Sequence, residues 1–402
     1  MEIKPDEIEV GAKIKVVGVG GGGGSSVTRM INSNLQGVHF IAINTDAQAL
    51  HHNPAQTKVH IGKELTRGLG AGANPDIGRR AAEENSEDIY NTLKDADLIF
   101  LTYGLGGGTG TGAGPVIAEI AKETGALVVA VLTMPFSFEG FQRMESAKRG
   151  LKEIQDKVDT LIIIPNDKIL QIVDNKTTMI DAFRIVDDVL FQGVKGIADI
   201  ITNPGFINLD FNDVKTIMRD SGTALMGIGM GTGEGRALTA ARLATESPLL
   251  DLTVHGAKNV LISIMGGPDL TMDEINEAST EIKNLVDPQA KIIFGVSVDE
   301  SYQGQVKVTV IATGFDKSEN SIEKNMLGKN MQQIPQQFHQ QNGFSQNTNY
   351  FFQNGKQNSL QSGVDMAYDP KTNPFLTPQN TDLDDDFKIP TYLRTQGEDK
   401  NQ

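Results

Sequence analysis

Between Gly104 and Gly114 the chain reads GLGGGTGTGAG, seven glycines and two threonines in eleven residues. A strand-like run, DLIFLTY (97–103), leads into it, and a helix-like run from Pro115 to Glu123 leads away. Glycine this dense lets backbone N–H groups converge on one point with no Cβ in the way. The start of a helix adds partial positive charge at that point. Pro115 suits the first turn of that helix, where its missing N–H is not needed. Strand, glycine turn and helix start together form a phosphate cradle, so the chain reads as a nucleotide binder.

On the N-terminal side of this box the same pattern repeats. KIKVVGV (13–19) is a strand that runs into GGGGG (20–24), with a helix expected from about Ser25. HFIAINT (39–45), LVVAVLT (127–133) and TLIIIPN (160–166) are further strands. Strands apolar throughout and separated by helical segments indicate a parallel sheet covered on both faces. The fold class is therefore α/β, with a Rossmann-like parallel-sheet domain over 13–176 after a polar tail at 1–12.

Residues 177–203 hold a long central helix. Ile180, Phe183, Val186, Val189, Val194, Ile197 and Ile201 recur at helical spacing. At 1.5 Å per residue a helix over 177–202 is about 39 Å long, and Asn203-Pro204-Gly205 ends it. A second, smaller α/β domain over 204–316 follows, with strands at NVLISIMGG (259–267), KIIFGVSV (291–298) and KVTVIATGF (307–315).

Beyond it, 15 of the 31 residues from Met331 to Gln361 are Asn or Gln. Such a segment buries too little apolar surface to offset ordering entropy, so 317–381 is expected to be a disordered linker. In DLDDDFKIPTYLRTQ (382–396) acids give way to Phe387, Ile389, Tyr392, Leu393 and Arg394. That pattern makes 382–402 either a partner-docking peptide or a solvated tail.

At 402 residues the chain is long enough for two or three domains with a large core. It has no cysteine, which excludes disulfides and thiol catalysis. MEIKPDEIEV carries no apolar signal core, and no apolar run approaches the roughly 18 residues of a membrane span. A net charge of −15 argues against broad nucleic-acid binding. A cytoplasmic protein with no direct membrane insertion is expected.

Several segments can carry chemistry. Gly18 to Gly23 fits G-x-G-x-x-G after a strand, but the acid expected roughly 20 residues on is replaced by Gly37-Val38-His39. No P-loop lysine motif is present, so backbone dipoles, Thr109, Thr111 and Mg²⁺ are left to hold phosphates. Gly70-Ala-Gly-Ala-Asn-Pro75 is a third small-residue loop, equally readable as a plain turn. Glu139 and Arg143, four apart, fit sugar and phosphate contacts or a surface ion pair. Phe183 and Asp187, also four apart, fit stacking on a purine with a carboxylate reading guanine, or a core ring with a surface acid. Asp210 and Asp213 suit either a pair polarising water or a helix cap. The six histidines show no metal-ligand spacing, so no protein-held metal is expected. A dinucleotide-dependent oxidoreductase and a filament protein with a static nucleotide remain rival readings.

GGGTGTG (106–112), NTDAQAL (44–50), GLGAGANP (68–75), PFSFEGFQR (135–143), IPND (164–167) and NLDFNDV (208–214) resemble, in order and spacing, the tubulin/FtsZ family of GTPases, in particular its bacterial cell-division branch. IPTYLR (389–394) looks like that branch's tail peptide. The resemblance implies GTP or GDP as ligand, with Mg²⁺ held mainly by the phosphates. It implies phosphate contacts from Gly21, Gly22, Gly23, Gly24, Ser25, Gly104, Gly107, Gly108, Thr109 and Gly110, with Ala71, Gly72 and Ala73 nearby. Asn44, Glu139, Arg143, Asn166 and Phe183 would line the site, and Asp187 would read guanine. Asn208, Asp210 and Asp213 would form a catalytic loop inserted by the next subunit of a head-to-tail homopolymer. The resemblance further implies a ring at the midcell division site, tethered through an FtsA-like membrane adaptor, with no nucleic-acid partner. Three departures stand out: Ser25-Ser26 where Asn-Ala is usual, Tyr103 where a small residue is common, and Gly114 where Ala is common.

Overall fold

The computed structural model describes residues 11–170, 177–202, 210–246, 254 and 256–315. Asn208, the expected linker and the tail peptide lie outside them. The chain opens with β1 (Ile14–Val19), α1 (Gly20–Asn32), β2 (Val38–Asn44), α2 (Ala47–His52) and β3 (Thr57–His60). Then come α3 (Lys63–Thr66), α4 (Pro75–Glu84), α5 (Ser86–Leu93), β4 (Leu98–Gly104) and α6 (Thr109–Glu123). The first half closes with β5 (Leu127–Met134), α7 (Phe141–Ile154), β6 (Thr160–Pro165) and α8 (Asn166–Ile169). The long α9 (Met179–Thr202) precedes α10 (Phe211–Met218), β7 (Gly222–Thr232) and α11 (Arg236–Thr245). The second half ends with β8 (Asn259–Gly266), α12 (Met272–Lys283), β9 (Lys291–Val298) and β10 (Gln305–Thr313).

The strands form one sheet in the order β3-β2-β1-β4-β5-β6-β7-β10-β8-β9. From β3 to β6 every pairing is parallel. Chain direction across the sheet reverses between β1 and β4, and such a switch point leaves a crevice at the carboxyl ends of the two strands. Alternate residues feed the two faces. Val16, Phe40, Phe100, Val129 and Ile162 pack beneath α1, α9 and α10. Val17, Ile41, Ile99, Val128 and Leu161 pack on the opposite side, against α4 to α7.

α9 joins the halves. Its Ile185, Val189, Val194 and Ile197 share one core with Val129 and Ile162 of the first half and Met226, Leu261 and Ile311 of the second. Each such side chain contributes about 1.5–3 kcal/mol when fully buried, so the halves are docked through a continuous apolar seam. No helix among the described residues is long and apolar enough to cross a membrane.

The sequence reading needs four corrections, and the fourth is that it left out the short edge strand β3. α1 begins at Gly20 rather than near Ser25, and α6 begins at Thr109 rather than Pro115, which sits inside that helix. Glycine in a helix is disfavoured by about 1 kcal/mol relative to alanine, yet close packing requires it here. A Cβ on Gly23 would lie 2.3 Å from the Thr102 carbonyl oxygen, and one on Gly112 only 1.8 Å from that of Pro75. The third correction is β7, an eleven-residue strand absent from the reading because GTALMGIGMGT is glycine-rich. It pairs parallel to β6 and antiparallel to β10, making the two halves one sheet. Its Gly229 and Gly231 let α11 approach, since a Cβ on either would lie 2.0 Å from a helix carbonyl oxygen.

Candidate functional site

β1 and β4 pair directly, with Gly18 opposite Thr102, so α1 and α6 start side by side in the switch-point crevice. Gly20, at φ +69°, lies against the second box: its added Cβ would sit 3.0 Å from the Gly110 nitrogen. Gly21, Gly22 and Ser25 are exposed at the mouth, with Gly24 half-buried beside Asn53. Gly104 and Gly107 are half-buried on the opposite rim. Gly23 and Gly110 are buried, and their missing Cβ atoms make room for Thr102 and Tyr103. The third loop closes over the second box. A Cβ on Gly108 would lie 2.8 Å from the Asn74 nitrogen and 3.0 Å from the Cβ of Ala71. Gly72 and Ala73 follow, both exposed with φ near +60°. Two longer helices thus direct their unpaired first N–H groups at one Cβ-free crevice.

The threonine hydroxyls do not face this crevice as the sequence reading had it. Thr109 Oγ1 lies 2.7 Å from Thr45 Oγ1, and Thr111 Oγ1 accepts from the Gly106 nitrogen at 2.9 Å. They brace the loop, and the backbone N–H of Thr109 remains its means of meeting an anion. Asn44 shapes the turn after β2, its Oδ1 accepting from the Thr45 and Asp46 nitrogens at 2.9 and 3.3 Å.

A second group of side chains gathers beyond β5. Phe136 stacks on exposed Phe138 at 5.0 Å and meets Phe183 edge-on at 5.2 Å, tying this loop to the start of α9. Glu139 accepts from the Phe136 nitrogen at 2.8 Å and pairs with Arg143 at 3.1 Å, so the i,i+4 ion pair does form. Arg143 runs beside the second box: a Cβ on Gly106 would lie 2.7 Å from its Cγ. Asn166 heads α8, and its buried Oδ1 has no hydrogen-bond partner among the described residues.

Asp187 is no surface acid. Ser26 Oγ donates to its Oδ1 at 2.9 Å, and burial pushes its pKa up to about 6 against the opposing influence of Ser26 and Arg29. Arg29 grips the neighbouring Asp188 through Nε at 3.0 Å and Nη2 at 2.8 Å. Base-reading candidate and phosphate-side helix are thereby joined.

The acids after α9 lie elsewhere. Asp210 caps α10, its Oδ1 accepting from the Asp213 nitrogen at 2.8 Å. At the far end of α10 the Met218 carbonyl accepts from Thr160, the first residue of β6. The Met218 end of α10 therefore lies at the amino ends of the parallel strands. So does the end of α9, since a Cβ on Gly37, just before β2, would lie 2.8 Å from Thr202 Cγ2. The glycine boxes lie at the carboxyl ends. A strand of six to eight residues separates those edges by about 20–26 Å, and Asp210 falls in the chain between Thr202 and Met218, both at the amino edge.

Sequence reasoning missed Ser26 and Thr45 as site residues. The unusual Ser25-Ser26 pair was the available signal for the first, and for the second the signal was its place in NTDAQAL (44–50), next to Asn44. Tyr103 and Gly114 prove to be one feature, because a Cβ on Gly114 would lie 2.3 Å from the Tyr103 ring. An anionic ligand bearing an N–H edge suits this site: helix N-termini for the anion, and the bare Asn166 oxygen with the Asp187 carboxylate for the edge. Among the described residues, no group of three His, Cys, Asp or Glu side chains gathers to hold a metal.

Known proteins share this chain's domain sequences and its fold. Residues 13–174 match the model of the tubulin/FtsZ family GTPase domain, and 222–316 match the C-terminal domain of the FtsZ family. An empty FtsZ dimer from M. jannaschii is 45% identical with a TM-score of 0.73, the match covering 78% of this chain and 93% of that one. A single-residue variant of FtsZ from the same organism is 47% identical at the same TM-score, over 76% and 92% of the two chains. A GTPγS-bound CetZ2 protofilament from Haloferax volcanii shares the fold at 22% identity and TM-score 0.66, over 78% and 96%.

Proposed function

The chain belongs to the tubulin/FtsZ family of GTPases, and from that premise we propose that it is a polymerising GTPase whose active site is completed by the next subunit. GTP lies with its phosphates against the N-termini of α1 and α6 and its base toward Phe183, Asn166 and Asp187. Arg143 and Glu139 stand over ribose and phosphate. Mg²⁺, held mainly by the phosphates, would supply charge neutralisation at the phosphates. Asp210 and Asp213 of the adjoining copy, with Asn208, polarise the attacking water. Hydrolysis then loosens the junction.

The observation that carries this reading is that the ends of α9 and α10 flanking the acids, at Thr202 and Met218, lie on the opposite edge of the sheet from the glycine boxes. Each copy offers a nucleotide face at one end and an acid loop at the other. A heterologous contact of that kind propagates into an open filament. The finer reading is a filament at the bacterial division ring, held to the membrane by an FtsA-like adaptor that docks residues 382–396. The test is sedimentation with GTP, GDP, ATP or NAD, alongside GTPase activity at increasing protein concentration. Pelleting with GTP alone and specific activity that rises above a threshold are expected. Activity proportional to concentration throughout, with no pellet, overturns the proposal.

A further inference from the structure

Ser26 is buried, at 3% exposure, in the second turn of α1. Its Oγ lies 2.9 Å from Asp187 Oδ1 and 3.1 Å from the Gly22 carbonyl oxygen. A hydroxyl carries one proton, so it donates to one of these at a time. With Asp187 ionised, the Ser26 proton goes to the carboxylate. With Asp187 protonated, the carboxyl donates to Ser26, whose own proton turns to Gly22. Only the first state leaves the carboxylate purely an acceptor. Guanine presents two N–H donors on one edge, hypoxanthine one, and adenine an acceptor at the matching ring nitrogen. The protonation state of Asp187 therefore bears on which base it can recognise.

The neighbourhood defines what sets that state. Arg29 on α1, Asp181, Arg184, Asp188, Lys195 and Asp199 on α9, and Asp167 and Lys168 on α8 are the ionisable groups of the surrounding elements, and Arg29 and Asp188 are the charges that act on Asp187. β5 and β6 carry none. Asp167 is taken up by the Ser137 nitrogen and hydroxyl, and Asp188 by Arg29. Burial holds Asp187 near pKa 6, so it is still largely ionised at neutral pH and is lost as an acceptor under mild acid. Removing the hydrogen bond that favours the ionised form moves that loss upward in pH.

We propose that Ser26 is a positioning residue for base selection: its hydroxyl holds Asp187 ionised and oriented, so that a purine with two N–H donors is preferred. This rests on Asp187 being the base contact. Ser26→Ala removes one hydroxyl and adds no bulk in the second turn of α1, where alanine is the best helix former, so the fold is expected to tolerate it.

The test measures competitive binding of GDP, IDP and ADP to the full chain between pH 5.5 and 8 in wild type, Ser26→Ala, Ser26→Thr and Asp187→Ala, with melting temperature as a folding control. In wild type, GDP affinity should fall below a midpoint near pH 6, with ADP nearly flat. A hydrogen bond to a charged group corresponds to about a tenfold effect, so Ser26→Ala should raise that midpoint by roughly one pH unit. The same variant should reduce the GDP-over-IDP ratio at pH 6.5, and Ser26→Thr should restore both. Asp187→Ala should abolish preference and pH dependence together. If Asp187→Ala does so and Ser26→Ala keeps the wild-type midpoint and ratio, the role of Ser26 is overturned. If Asp187→Ala leaves the preference intact, the base contact itself is wrong, and Ser26 falls with it.

Discussion

Tyr103 shows how a single residue can look anomalous until its partner is located. Its ring fills space that Gly114 leaves open, and its hydroxyl is fully buried with no hydrogen-bond partner among the described residues. Burial pushes the phenol pKa well up, so the group stays neutral. A buried hydroxyl without a partner costs about 1–3 kcal/mol. Tyr103→Phe should therefore raise stability by about 1 kcal/mol in urea denaturation, and a decrease would mean that the hydroxyl has a partner. Gly114→Ala should destabilise by about 1–3 kcal/mol through overpacking. Combined with Tyr103→Ala it should cost less than the sum of the two single changes, and strict additivity would separate the two sites. Each departure was visible in the sequence. Their contact was not, because ten residues of loop and helix intervene and no periodicity links them. The Ser26–Asp187 bond, 161 residues apart in the chain, was hidden for the same reason.

Elements were legible where one principle dominated. The five parallel strands proposed for the first half are apolar throughout, and each was located within a residue or so of its ends. α9 followed from its helical spacing. Glycine misled in both directions: it reads as a helix stop and a strand breaker, but in α1, α6 and β7 it is selected by close approach of another backbone. A less visible element contact joins β10 to α9. Lys307 is almost wholly buried and donates to Gln192 Oε1 at 2.6 Å. Desolvation depresses its pKa to about 8, against the attraction of Asp199. Between pH 8 and the unfolded value of 10.5, the native state binds fewer protons than the unfolded state. Stability contributed at this site therefore rises with pH across that window. Lys307→Met removes the buried charge, so its melting temperature should exceed the wild type's at pH 7. The advantage should shrink as pH climbs from 8 toward 10. A difference independent of pH would show that Lys307 does not titrate in that range.

The whole molecule is polar in the geometric sense, with the glycine boxes at one edge of the sheet and the ends of α9 and α10 that flank Asp210 at the other. Neither the length of α9 nor any motif reveals that arrangement alone. It follows from the parallel strands, which send the glycine turns after β1 and β4 to one edge, while the ends of α9 and α10 reach the opposite one. Complementation between two inactive variants tests whether that polarity is how the enzyme works. Asp213→Ala removes a proposed catalytic carboxylate but keeps the backbone N–H that Asp210 caps, so α10 should persist. Gly108→Asp places a carboxylate in the crevice, starting from a Cβ only 2.8 Å from the Asn74 nitrogen, and should abolish GTP binding. Each variant alone should be nearly inactive. In an equal mixture, random head-to-tail pairing joins an intact nucleotide face to an intact acid loop at about a quarter of junctions. GTPase activity should return toward that fraction of wild type, provided that Gly108→Asp subunits still enter filaments, which co-sedimentation with the first variant checks. Mixed filaments that pellet but hydrolyse no faster than either parent would place both halves of the reaction within one subunit.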